Sequence, residues 1–261
     1  MFSFFCKKKA RSPLAEKDRV WLETSFKIII NSSEKERKSV LTRKLLLPNK
    51  EDFPIVYDGS DESATETLKI VARQIEMDPR QFTLIFCDGS LPRYKGDMGY
   101  GTLIGESGQE VRPAAAFFGE IKDNKYIIYL DSSQLHDPET LVATLAHEIC
   151  YIKMTYIFKV QNTSDVVADL CPLFFGLGIF SANSPIRIYV HKESFGEYGT
   201  QEAVPKAMWG YILALYSCFR NEYKPEWVKY LIPEVRKYFK LSEKYISENK
   251  EQILGTYLDP K

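Results

Sequence analysis

The chain of 261 residues is 44% hydrophobic and 27% charged, with 35 Lys+Arg exactly balanced in number by 35 Asp+Glu. That length suits one large domain or two small ones around a buried core. The balanced charge excludes an electrostatic case for nucleic acid, which calls for a clearly basic face.

Cys6, Cys87, Cys150, Cys171 and Cys218 are odd in number and scattered, with no CxxC pair. They read as reduced thiols of a cytoplasmic protein rather than a disulfide framework. The opening "MFSFFCKKKARSP" puts its apolar residues before its charges, the reverse of a secretory signal. No run of 18 apolar residues occurs, so no membrane partner is expected. Residues 1–14 are expected to form a loose tail.

From Glu16 to Ile30, Val20, Trp21, Phe26, Ile29 and Ile30 recur at helical spacing. "NSSEKERKSV" is expected to interrupt that helix, with a second short one after it. "LLLPNKEDFPIVYDG" suggests a strand and a loop, punctuated by proline. Ser60 or Asp61 can cap a helix carrying Leu68, Ile70, Val71 and Ile75, which stops before Asp78-Pro79. "FTLIFCDG" reads as a strand ending in a turn.

The Gly-rich stretch 90–112 contains neither GxxxxGK[ST] nor a GxGxxG leading from strand to helix, which argues against phosphate binding. "AAAFFGEIKDNKYIIYLD" (114–131) predicts a hairpin turned at Asp-Asn. Next, "LHDPETLVATLAHEICYIKMTYIF" predicts a helix capped by Asp137, with Pro138 first and Glu139 favoured by the helix dipole. Leu141, Val142, Leu145, Ile149 and Ile152 form its apolar face. Ser164 can cap one further helix through Asn183, and "SPIRIYV" suggests a strand. Two long helices then follow, over about 201–220 and 225–248, with a stripe of Trp209, Leu213, Tyr216, Trp227, Leu231, Val235 and Phe239 that reads as core.

This order predicts an α+β fold: a mixed α/β half with a hairpin, then a mainly helical half. The expected division is a 15–113 region followed by a 114–261 region within one continuous globular unit.

The chemistry-bearing stretch is "TLAHEICY". Residues four apart share a helix face, which lets the two histidines of an HExxH helix reach one zinc while the glutamate polarises its water. His147 and Glu148 occupy the first two motif positions, and Asp165 and Asp169 lie one turn apart in the following "SDVVADL". Hairpin, His-Glu helix and acidic helix in this order resemble a zincin of the gluzincin type. "LVATLAHE", "DLCPLFFGLGIFSAN" and "WGYILALYSCFRNEYKPEW" are similar to those of a group of bacterial proteins with such helices. The resemblance implies a zincin-like second half in which His147, Asp165 and Asp169 would be metal ligands or their supports. Glu148 would be the catalytic base.

Tyr151 stands where the second histidine belongs. A phenol, with a reference pKa near ~10, binds zinc well only when ionised. Asp165 is one methylene shorter than the glutamate that gluzincins use. Cys150 could offer a thiolate, although cysteine at that position commonly packs as a small apolar residue. His136 lies eleven residues before His147, and His191 follows the "IRIYV" segment. No GxSxG motif supports a serine hydrolase.

Three readings follow. The leading one is a degenerate metallopeptidase-like protein, without a cofactor, acting by binding or inhibiting another protein. Its alternative is an active zinc hydrolase with Glu148 as base and an atypical ligand set. The third is a structural domain unrelated to peptidases, in which His147 and Glu148 are incidental to a packed helix.

Overall fold

The computed structural model describes residues 10–30, 34–87, 116–160, 165–184 and 204–255. It is α+β, as the order of elements predicts. Its contacts separate into two compact units, one of residues 44–203 and one joining 1–43 with 204–261. The sequence suggests a boundary after residue 113 instead. No such boundary forms because strand β1 (Phe82–Cys87), before it, pairs in parallel with β3 (Lys125–Asp131), after it.

In the unit of residues 44–203, the described residues form a three-stranded sheet with β3 at its centre, β1 on one side and β2 (Ala116–Lys122) on the other. Strands β2 and β3 make the expected hairpin. Asp123 and Asn124 both have positive φ, 49° and 59°, as a right-twisting two-residue turn requires. The register slips between Phe118 and Glu120, leaving Gly119 as the extra residue of a bulge.

Helix α3 (Asp61–Gln74) begins where Ser60 accepts the Ser63 N–H. It buries Ala64, Leu68 and Val71 at the three-to-four-residue spacing of one helix face. The "LLLPNKEDFPIVYDG" segment is not a strand. Pro48 and Pro54 lack N–H groups, while the Leu46 N–H goes to Gly176 O and the Leu47 N–H to the Asp52 carboxylate. No ladder can form from donors committed elsewhere.

The helix expected from 164 through 183 is broken in two: α5 (Asp165–Phe174) and α6 (Gly178–Asn183). Gly176 turns the chain between them at φ +79°, and a side chain there would run into the Lys44 carbonyl. Only glycine meets both conditions.

The other unit is helical. Helix α1 (Glu16–Ile30) buries Leu22, Phe26 and Ile30, four residues apart. Val20, placed on the buried stripe by spacing, is 46% exposed. Glu23 is instead buried, held by Arg19 Nη1 at 2.9 Å and by the Tyr211 hydroxyl. The polar run read as an interruption is itself helical from Glu34, in α2 (Glu34–Thr42).

Helices α7 (Lys206–Phe219) and α8 (Pro233–Glu248), with the turn Glu226–Tyr230 and Leu231 between them, carry the apolar stripe, whose seven residues are all buried as expected. Trp227 packs edge-on against Phe239 at 5.4 Å. The last long helix starts at Pro233 rather than near 225, because the chain is extended at Leu231 and Ile232 and Pro233 fits the first helical turn. A short α9 (Lys250–Leu254) follows. Among the described residues no helix is long and apolar enough to cross a membrane.

Candidate functional site

Helix α4 (Pro138–Ile152) carries the His-Glu pair. It starts as the sequence dictates: the Asp137 carboxylate accepts the N–H groups of Glu139 and Thr140, each at 3.1 Å, and Pro138 opens the first turn. The expected apolar face is buried. So are Ala143, Thr144, Ala146, Glu148 and Cys150, because α3, α5, α6 and β2 pack around the helix.

From Leu141 to Ile152, only His147 and Tyr151 escape full burial. Four residues apart, they form one strip, and these are the two positions that would hold histidines in a zincin.

Glu148 points the other way. Its side chain is buried, with the residue 8% exposed, and Oε2 accepts the backbone N–H of Phe118 at 2.8 Å. Strand β2 lies at the sheet edge, where outward N–H groups lack a ladder partner. Glu148 therefore ties α4 to that edge, beside the Gly119 bulge. Burial pushes its carboxyl above the ordinary range, against the opposing pull of His147 and the Phe118 N–H. Glu148 is thus the buried member of the pair, and His147 is partly exposed.

An aromatic cluster spans all three strands of the sheet. The Tyr156 ring lies 5.3 Å from Phe118 and 5.8 Å from Tyr126, and Phe82 sits 5.5 Å from Tyr126. Burial raises the Tyr156 hydroxyl, with smaller contributions from Tyr151 and Tyr126. Tyr151 itself packs, partly buried, against the apolar cluster around α4.

Helix α5 packs on α4, so the expected His-Glu and acidic helices are neighbours. Asp165 and Asp169 lie on α5, but their side chains fall outside the described residues, as do Ser164 and His191. Cys150 is fully buried within the apolar cluster around α4. His136 ends a single tight turn, Ser132–His136, ahead of the cap, at the opposite end of α4 from His147. Among the described residues, no three His, Cys, Asp or Glu side chains gather as a metal would require. His147 offers a nitrogen donor, and Tyr151 a phenol in the second motif position.

Sequence reasoning missed Lys153. It begins a π-helical turn, Lys153–Ile157, at the end of α4, where the Phe158 N–H reaches back to the Lys153 carbonyl. Its ammonium is buried, donating to the carbonyls of Ile75 at 2.5 Å and Glu76 at 3.3 Å, and lies 4.8 Å over the Phe175 ring. A cation at the C-terminal end of α3 complements that helix's dipole. The available signal was a lone lysine between Ile152 and Met154 in an apolar run.

No family model, no curated protein and no solved structure matches the chain.

Proposed function

We propose that this is a degenerate metallopeptidase-like protein that does not hydrolyse peptides and works in the cytoplasm by binding another protein. The observation that carries the reading is the commitment of Glu148 to the Phe118 N–H. A general base must reach the water it deprotonates. Here the carboxylate is buried and spent on holding an edge strand. Tyr151 beside His147 supports the same reading, since catalytic zinc normally keeps three protein ligands and a neutral phenol is a poor one. The scattered, odd set of cysteines fits a reducing compartment.

The test is metal content by elemental analysis of the full chain purified without chelator, with wild type and Tyr151→His side by side. Peptide hydrolysis is assayed with zinc added. The expected result is metal-free, inactive wild type and a Tyr151→His variant that takes up about one zinc per chain. Stoichiometric zinc in the wild type, with cleavage abolished by Glu148→Gln, would overturn the reading in favour of an active hydrolase. Absence of zinc from both proteins would remove the peptidase ancestry and leave a helix unrelated to zincins.

A further inference from the structure

A cleft of about 320 Å³ opens at the other end of α4. It is about 12 Å along the helix from His147, given eight residues at 1.5 Å each. Phe53, Tyr57, Val142 and Phe180 supply apolar wall, and Glu139 and Lys50 are the charged residues among those lining it.

The walls are held in place. Phe53 and Phe180 meet edge to face at 5.4 Å, and the Tyr57 hydroxyl donates to Leu135 O at 2.9 Å. Val142 follows Glu139 by three residues, so both face the cleft from one side of the helix.

Charge around the cleft is lopsided. Burial raises the Tyr57 hydroxyl first, and the negative charges of Asp58 and Asp137 raise it further. Partial burial of its otherwise exposed side chain, and then Asp137, likewise push the Glu139 carboxyl up, against a hydrogen bond from Asn183. Three carboxylates therefore act on this mouth, against the exposed Lys50. Of the three, Asp58 is occupied by the N–H and hydroxyl of Ser60, and Asp137 caps α4. Glu139 is the one that lines the cleft.

We infer that this cleft binds a small organic cation with an apolar, preferably aromatic, body. The ring would lie against Phe53, Tyr57 and Phe180, and the ammonium would face Glu139. The size falls at the lower end of the range for small-molecule sites, which are mostly apolar with a few placed polar groups. Aromatic walls also favour a cation through their ring faces. The inference does not depend on the His147–Glu148 reading and survives its failure.

The experiment is a nuclear magnetic resonance titration of the isotopically labelled full chain with three probes. Phenethylamine is compared with neutral 2-phenylethanol and anionic 3-phenylpropionate. The amine is expected to shift the amides of Tyr57, Val142 and Phe180, the alcohol to bind more weakly, and the anion to leave them unmoved. Glu139→Gln should weaken the amine about fivefold and leave the alcohol unchanged. Glu139 is exposed, so the substitution leaves the core untouched, and the comparison of probes on wild type requires no variant. No shift at about 10 mM amine, equal binding of all three probes, or shifts mapping elsewhere would overturn the inference.

Discussion

The backbone N–H of Phe118 donates to the Glu148 carboxylate at 2.8 Å, joining the strand at the sheet edge to the helix that carries the His-Glu pair. A residue whose type and position suggest catalysis makes a buried contact to the sheet edge. A structural role and a catalytic one are distinguished by measurement, because a strut and a base respond differently to the same substitutions.

Glu148→Gln keeps an oxygen acceptor of the same shape and should change unfolding free energy by no more than about 1 kcal/mol. Glu148→Ala leaves the Phe118 N–H unmet and a void beside the sheet, costing about 2–4 kcal/mol. Urea denaturation of the two variants checks the contrast. Equal, small effects would mean that the contact contributes nothing to the fold.

Glu148 also imposes a pH dependence. Its carboxyl is raised in the folded chain, chiefly by burial, above an unfolded value of about 4.3. The fold accommodates the protonated acid better than the carboxylate. That contribution is present in full below about pH 4.3 and is lost as pH climbs through the folded value. The stability of wild type relative to Glu148→Gln should therefore fall as pH rises from about 4 toward 7. Denaturation midpoints of both proteins at matched pH values measure it. A difference that stays flat, or runs the other way, would show that burial does not govern this carboxyl.

Lys153→Met fills a similar volume but removes the donors to the Ile75 and Glu76 carbonyls. The expected loss is about 1–3 kcal/mol, read by denaturation. A gain in stability would instead show that desolvating the ammonium costs more than its hydrogen bonds return.

Gly210 lies where α7 meets α8, and a side chain there would come within 2.7 Å of the Phe239 nitrogen and closer still to the Tyr238 side chain. Gly210→Ala must push the two helices apart and is expected to cost about 1–3 kcal/mol by overpacking, despite alanine's better helix propensity. Thermal unfolding tests this, and a raised midpoint would contradict the tight helix crossing.

The starts of α1, α3 and α4 and the turn of the hairpin were legible from local patterns. Asp137-Pro138-Glu139 is a local helix-start signal, and Asp123-Asn124 between two apolar runs is a local turn signal. Neither signal needs a distant partner. The break at Gly176 was harder to read, because its reason is the Lys44 carbonyl, more than a hundred residues away in the chain.

The candidate site divides in the same way. The sequence alone determined that His147 and Tyr151 share a strip of one helix, since residues four apart must. It also placed Asp137 at the cap and the seven-residue apolar stripe in a core. Only the tertiary structure decided that Glu148 faces inward to the Phe118 N–H and that Lys153 seats its ammonium on α3. The same is true of the grouping of α1 and α2 with the C-terminal helices in one compact unit. Helix periodicity says which residues share a face. What that face meets depends on contacts between segments far apart in the chain, where burial and unmet backbone donors decide whether a carboxylate serves as a base or as a strut.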